Sequence, residues 1–572
     1  MKPNKPNGKG AKGKKAAQVK KAGFFQKNVR WILVGMIVVS FAFNYSKLFD
    51  PKPDTNGDNL YYYMLAYTLS QGKGYVTDIG PVPQPHVHFP PGYPAFMSLF
   101  MMVFPDNIIV MKVLNGLLLL ASLLLLFRIT RKAGGQMGMY AGAAACILAT
   151  FHPEVMRYAT VMMSEMLYMC ITLGVVAICL DLDLKKVRQK DWKQIVMLVG
   201  LCLLVAYAYL VRTIGTTLLL AVLLTFGVNA VKKFIHRKEE GKAWLGQLAV
   251  CLLVFASFLI AREGWELRNR QVSPGYKGSY SNNFMAKVPN GSQQMATVHD
   301  WSSRIGMNLK MFSAIFIPKS VLSPDDATMT AQEAFNSIKP VNWVEGILMI
   351  ALIVFGLLSL KGAALLVISY VVITFGVLML YPEWFAGIRY FVPLMPILIV
   401  GAVLGFIRLV GLVTGRSRKR WVSFALPVLL LVVLVGIMAP RYYKDQEEYR
   451  QWASYKSYTD FPEAHPVCQY VKACEHFISM PQNIIVATRK PELFYVFSKH
   501  HHAVMVSAVE PEAMLRQLTA EKVNFIILDN MYPQTYKAIV RTMQAAPDNL
   551  VPIKVFKGVE KDTFILRFVP LQ

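Results

Sequence analysis

The sequence predicts a polytopic α-helical membrane protein of about eleven transmembrane helices, followed by a small α/β domain at the C-terminal end. Three observations carry this. Of 572 residues, 54% are hydrophobic and only 17% charged, where a water-soluble chain carries about 25%. The apolar residues are gathered into runs such as WILVGMIVVSFAFNYSKLF from Trp31 and VLLLVVLVGIM from Val428. After Pro440 the composition changes to that of a folded polar domain. About 20 apolar residues are needed to cross the hydrocarbon core. Lipid offers no partners to backbone N–H and C=O groups, so such runs must be helical.

Taken in order, the spans are expected near 31–49, 107–127, 137–152, 162–180, 193–211, 214–231, 243–262, 342–360, 362–381, 389–409 and 421–439. The net charge of +27 does not point to nucleic acid, because of where the cations lie. Residues 1–30 hold ten Lys/Arg and no acid, directly before the first run. Further clusters fall in short loops: Arg128, Arg131 and Lys132; Lys185, Lys186, Arg188 and Lys190; Lys232, Lys233, Arg237 and Lys238; Arg416, Arg418, Lys419 and Arg420. Under the positive-inside rule these are cytoplasmic. The expected organisation is therefore a basic cytoplasmic tail (1–30), a membrane region (31–440) and an extracytoplasmic domain (441–572). The first run is too long for a cleaved signal peptide, and no small-residue cleavage site follows it.

Two outside segments are long enough to carry function, near 50–106 and 263–341. The first contains GDNLYYYMLAYTLSQGKGY, where Leu60, Tyr63, Met64 and Tyr67 recur at helical spacing. That spacing predicts an amphipathic helix lying at the membrane surface, with Asp58 at its N-cap. PVPQPHVHFPPGYP then sets a bend. In the terminal domain, NIIVAT and VNFIILD read as buried strands, and PEAMLRQLTAEK and YPQTYKAIVRTMQ as helices. This alternation predicts a partly parallel sheet. No P-loop or other nucleotide-binding glycine signature is present. Cys468 and Cys474 could pair in a disulfide if this domain is extracytoplasmic, although six residues apart on one helix they would face different sides.

Several ionisable residues fall at the expected outer face. Asp54 and Asp58 are placed where a carboxylate takes the proton of an acceptor hydroxyl as general base; for Asp58 a purely capping role stands equally open. His86 and His88 alternate along an extended segment and face the same way. Two imidazoles without a third ligand leave a divalent metal open and unassigned, and a surface loop with two solvated histidines accounts for them more simply. Glu154 and Glu165 lie at the membrane face, beside Arg157. Arg212, Arg389 (next to Tyr390) and the Arg262, Arg268 and Arg270 group run against the positive-inside trend. Arginine forks match phosphate oxygens, although an ordinary ion pair such as Arg389–Glu383 explains one as well. Outer carboxylates together with outer arginines suit a lipid-phosphate substrate.

Asp58-Asn59-x-x-Tyr62, the following YYMLAYTLSQGKGY and HFPPGYP resemble the first outside loop of GT-C fold glycosyltransferases. SEMLY, REGWELRN and RYFVPLMP are similar to later landmarks of that group. Within it, the chain resembles bacterial members related to protein O-mannosyltransferases and to the lipid A aminoarabinose transferase. The likeness covers about the first 440 residues. It implies an inverting transferase in a bacterial inner membrane. Such an enzyme moves a sugar from a polyprenyl-phosphate donor to a glycan, lipid or protein hydroxyl on the extracytoplasmic side. Asp58 would be the base, and Arg212, Arg389 and Arg268 would hold the donor phosphate. Glu154, Glu165, His86, His88, Tyr62 and Tyr390 would support the site or the acceptor. The alternative from another class is a transporter or flippase of lipid-linked sugars. It would share the spans and arginines without needing Asp58.

Overall fold

The computed structural model describes residues 24–55, 58–276, 278, 285–287, 295–322, 335–382, 387–414, 421–462, 465–531 and 533–570. Every expected span coincides with a helix. Among the described residues nine helices are long and apolar enough to cross a membrane. One of them, Ile108–Phe151, runs 44 residues and breaks at Gly135, which sits at φ 64°. This is left-handed backbone that glycine adopts without a Cβ clash. The two halves fold back on each other: the Cys146 thiol lies 3.3 Å from the Leu123 carbonyl. This one apolar helix therefore supplies the second and third expected spans. Glu165–Asp181 and Ala364–Met379, at 17 and 16 residues, complete the set.

One long helix departs from the expectation. Val298–Leu322 also satisfies the length and apolarity of a span, inside a segment read from sequence as an outer loop. Its contacts show that it does not run end to end. Asn308 donates to the carbonyls of Met379 (3.0 Å) and Tyr381 (2.7 Å). Farther along, Lys319 O meets the His152 ring at 3.4 Å and Val321 O accepts from Tyr442. Tyr381, His152 and Tyr442 all stand at the same end of the bundle, so this helix lies across that end. Sequence hydropathy cannot separate a buried lying helix from a crossing one.

Among the described residues between the strap after Leu48 and the C-terminal domain, ten segments run the length of the bundle: 108–134, 136–151, 165–181, 192–211, 215–235, 243–272, 340–357, 364–379, 395–414 and 426–445. An even number returns the chain to the end where it started, and the contacts agree. Tyr458 Oη donates to Pro53 O at 2.6 Å, and Ala503 N to Ile79 O at 2.8 Å. Helix Asn59–Ser70 exists as expected but is not a surface helix. Leu60, Tyr63 and Met64 are buried, because helix Pro491–Phe497 of the terminal domain covers it. Its periodicity was legible, but its cover comes from more than 400 residues away in the chain.

Among its described residues the terminal domain holds five strands: β3 (Ile485–Thr488), β4 (His502–Met505), β5 (Phe525–Leu528), β6 (Leu550–Phe556) and β7 (Thr563–Phe568). They follow β1 (Val76–Thr77) and β2 (Gln84–Pro85), a two-stranded ribbon in the first loop. The five-stranded order is β4-β3-β5-β7-β6, with β3 parallel to both neighbours and β7 antiparallel to both of its own. Cys468 and Cys474 are buried thiols on helix Pro466–Glu475, not joined in a disulfide. Cys468 packs with Tyr458 and Phe461, while Cys474 faces the main core.

Candidate active site

The site is built where four segments meet. Asp58 opens helix Asn59–Ser70. Glu165 begins helix Glu165–Asp181. Arg212 caps the end of Trp192–Val211. Arg389 belongs to the short 3-10 turn Ile388–Phe391 that precedes Met395–Thr414. Gly92 fixes the first loop against this group. A Cβ there would lie 2.6 Å from the Leu210 backbone, and Tyr207 Oη donates to Gly92 O at 2.8 Å.

Glu165 is the anchor. Its side chain has no exposure, and one carboxylate oxygen takes Arg212 at 2.6 Å and Arg389 Nε at 2.8 Å. Arg212 also donates to Ser164 Oγ at 3.2 Å. Arg389 turns its other face to Asp58, with Nη2 3.0 Å from Oδ2. Asp58 stands at the N-cap position, but its side chain caps nothing; it reaches across the cavity instead. Its side chain is 36% exposed, against 29% for Arg389 and 13% for Arg212. A buried carboxylate thus holds two guanidiniums in place, while an accessible carboxylate closes the row. Two positive and two negative charges leave the resting set neutral.

Asp58, Arg212 and Arg389 line a cavity of about 260 Å³ with Tyr62, His88, Phe89, Ser164, Thr213, Tyr381 and Tyr390, and Glu165 lies buried behind the two arginines. A second cavity of about 410 Å³ lies on the other side of Arg389, walled by Asp50, Asp54, Arg157, Tyr158, Tyr449, Trp452 and Tyr458. Arg389 is common to both. Of the residues singled out from sequence, the structure brings Asp58, Tyr62, His88, Arg212, Arg389 and Tyr390 together around the first cavity, with Glu165 paired to both arginines. Sequence reasoning missed Ser164, Thr213 and Tyr381. Neutral hydroxyl groups at span ends are ordinary, although Ser164 does open the SEMLY run.

Three expectations need correction. Arg268 does not line either cavity. Its guanidinium donates to His86 O (2.5 Å), Tyr75 O (2.9 Å) and Asn269 Oδ1 (2.9 Å), and so clamps the first loop. His86 is not a solvated or ligating histidine. Thr77 Oγ1 lies 2.9 Å from Nδ1 and Phe89 N donates to Nε2 at 3.0 Å. Burial, with the nearby His88 and Arg268 charges, holds His86 down to about 3. Both of its nitrogens are engaged, so the pair of imidazoles does not converge on a metal. Among the described residues no group of three or more His, Cys, Asp or Glu is placed to hold one. Glu154 lies outside the first cavity: it is buried and accepts from Tyr449 Oη at 2.8 Å. Glu383, a sequence-level partner for Arg389, lies outside the described residues.

The strap leading into Asp58 is fixed from two sides. Lys52 is 3% exposed, with Nζ 5.7 Å from the ring centres of Trp452, Tyr458 and Phe461. It also pairs with Asp50 at 2.8 Å. A buried ammonium over three aromatic faces is strongly placed. From the membrane side Lys112, with no exposure, reaches Asp54 at 3.2 Å and donates to Asp50 O at 3.0 Å. Burial pushes Asp54 above the usual carboxylate range against the pull of Lys112.

This architecture of reversing membrane helices, with a long first loop carrying a carboxylate beneath a C-terminal domain, is the GT-C fold. No family model matches the chain, and no curated protein matches it in sequence. Solved structures do match in fold. One is the Archaeoglobus fulgidus oligosaccharyltransferase tethered to an acceptor peptide: TM-score 0.54, 10% identity, over 96% of this chain and 74% of that one. Another is the A. fulgidus oligosaccharyltransferase AglB with an inhibitory peptide and a dolichol-phosphate: 0.53, 11%, 95% and 74%. A third is ArnT from Cupriavidus metallidurans bound to undecaprenyl phosphate: 0.54, 13%, 96% and 99%.

Proposed function

We propose that the protein is an inverting glycosyltransferase of a bacterial inner membrane, moving a sugar from a polyprenyl-phosphate donor to an acceptor hydroxyl on the extracytoplasmic face. The observation that carries this is the row Asp58–Arg389–Glu165–Arg212 in a cavity that shares Arg389 with a second one. Transfer needs two substrates to meet, and the two cavities adjoin at a phosphate-binding residue type. Solved structures of this fold hold dolichol-phosphate and undecaprenyl phosphate, which supports the donor class.

In this reading the donor phosphate settles on Arg212 and Arg389. Glu165 keeps both guanidiniums oriented, so little reorganisation is needed when charge develops on the leaving group. The phosphate competes with Asp58 for Arg389 Nη2 and thereby releases the carboxylate. Asp58 then takes the proton of the acceptor hydroxyl as its oxygen attacks the anomeric carbon. The bond from that carbon to the phosphate oxygen breaks, and the polyprenyl phosphate departs with the electron pair. Configuration inverts because attack and departure occupy opposite faces.

The deciding test pairs Asp58→Asn with its neighbour Asp54→Asn, assayed with a verified lipid-linked sugar by mass spectrometry of donor and product. The first should fold, insert and fail to transfer; the second should keep most turnover. Wild-type turnover in Asp58→Asn removes the base. Protein-dependent movement of the donor across vesicles without any glycosidic product would instead establish the transporter.

A further inference from the structure

The largest of the three described cavities, about 540 Å³, lies away from the site above. Helix Glu165–Asp181 starts beside Ser164 in the wall of the first cavity and has Cys179 and Leu180 in the wall of this one. Helix Gly215–Ile235 likewise starts beside Thr213 and Ile214 and ends beside Lys233. At 1.5 Å per residue the two cavities stand about 25 Å apart, at opposite ends of the same helices.

Its lining is divided. The deep wall is apolar, with Val176, Leu182, Phe226 and Leu366. Lys185, Arg188, Lys233, Asn229 and Gln247 supply the polar part. Lys233 is offset by Glu240 at 3.7 Å, and Asp183 caps its own short helix through Lys185 N. Lys185 and Arg188 have no ion-pair partner among the described residues. Gln247 is 7% exposed, and its buried carbonyl oxygen has no hydrogen-bond partner. Burying an amide unsatisfied costs free energy, so this one asks for a ligand. An amide is complemented by a group that both donates and accepts, as a hydroxyl does.

We propose that this cavity binds an anionic membrane lipid with a hydroxylated headgroup. Its phosphate would sit on Lys185 and Arg188, its headgroup hydroxyl on the Gln247 amide, and its first methylenes along the apolar wall. The proposal is independent of the transfer chemistry. A phosphate alone would use the cations but leave Gln247 unmatched, and a zwitterionic lipid would bring a second cation to Lys185 and Arg188.

The test uses the full chain in neutral detergent, with lipid retention read by native mass spectrometry. The probes are dioleoyl phosphatidylglycerol, dioleoyl phosphatidic acid, dioleoyl phosphatidylcholine, undecaprenyl phosphate and inorganic phosphate. Lys185→Gln with Arg188→Gln should weaken phosphatidylglycerol by about tenfold or more, the effect of one charged contact. The same pair should leave phosphatidylcholine unchanged. Gln247→Leu should weaken phosphatidylglycerol alone, by about three- to tenfold, and leave phosphatidic acid as it was. Should the double variant not fold, Arg188→Gln and Gln247→Leu make the same comparison separately. Equal phosphatidylglycerol binding in wild type and variants overturns the site. So does a parallel loss of phosphatidylcholine, which marks general lipid contact. Selective loss of undecaprenyl or inorganic phosphate without phosphatidylglycerol overturns the headgroup assigned.

Discussion

The cavities at the two ends of helices Glu165–Asp181 and Gly215–Ile235 are both lined by arginine or lysine, yet they treat those charges in opposite ways. At the Asp58 end every cation is already held: Arg212 by Glu165 and Ser164, Arg389 by Glu165 and Asp58. At the other end Lys185 and Arg188 stand at the rim without carboxylate partners among the described residues. A pre-paired cation is poor at simple capture, because an arriving anion must displace something. It is well suited to the transfer proposed above, where the displaced partner would act as base and the geometry is set beforehand. An unpaired cation at a membrane face is the arrangement for holding a phosphate at rest.

The largest effect should come from breaking the exchange at Arg389. Asp58→Asn removes the proposed base, and its loss should cost on the order of 10²–10⁴ in kcat. The same change frees Arg389 Nη2 of a competing charge, so the lipid-phosphate product should bind more tightly, not less. Measuring both on one preparation is decisive. Lost turnover with weakened product binding would mean Asp58 only shapes the cavity. Next in size, Arg389→Ala and Arg212→Ala should each raise the KM for donor and lower kcat/KM. The loss should correspond to roughly 1.5–3 kcal/mol, that of a charge-assisted hydrogen bond. Donor dependence that stays at wild-type values in both folded variants would take the phosphate elsewhere.

Much of this was legible in the sequence, and what was not has physical causes. Span positions follow from apolar runs, which lipid makes obligatory. The lying helix Val298–Leu322 escaped because hydropathy reports length and apolarity, not direction. Asp58, Glu165, Arg212 and Arg389 were visible as charges where charges are costly. Their pairing was not, since Asp58 and Arg389 are separated by 331 residues. Arg268 and His86 carried the same signals as the residues that line the first cavity, an outer arginine and a loop histidine. Only their partners show that both hold the loop. The cage around Lys52 had no sequence signature, because Trp452, Tyr458 and Phe461 lie about 400 residues away.

Arg268 sharpens the contrast between arginines that serve substrate and arginines that serve structure. Arg268→Ala strips donors from the carbonyls of Tyr75 and His86 and should destabilise the loop by about 1–3 kcal/mol. The KM for donor should stay put, unlike in the Arg212 and Arg389 variants. A donor KM that rises as steeply as theirs would return Arg268 to the site.

The smallest expected effect is a dependence on acid in the same loop. Burial holds His86 down to about 3, and burial also lowers His88 despite the nearby Asp58 charge. Both are neutral in the folded chain near pH 7. In the unfolded chain each takes a proton near pH 6.5. Below that value the unfolded state binds more protons than the folded one, so stability falls as pH drops. The contribution is full above about 6.5 and is lost progressively toward about 3. For His86 the cause is specific, because Nε2 must stay unprotonated to accept from Phe89 N. Proteolysis of the 75–90 loop, followed between pH 7 and 4.5, should therefore accelerate with acid. His86→Asn keeps a polar side chain but removes the titration, and should flatten that slope while leaving turnover at pH 7.5 within a fewfold of wild type. If the slope survives in His86→Asn and vanishes in His88→Asn, the acid-sensitive element is the cavity wall beside Asp58, and the division between loop-holding and substrate-facing groups would have to be redrawn.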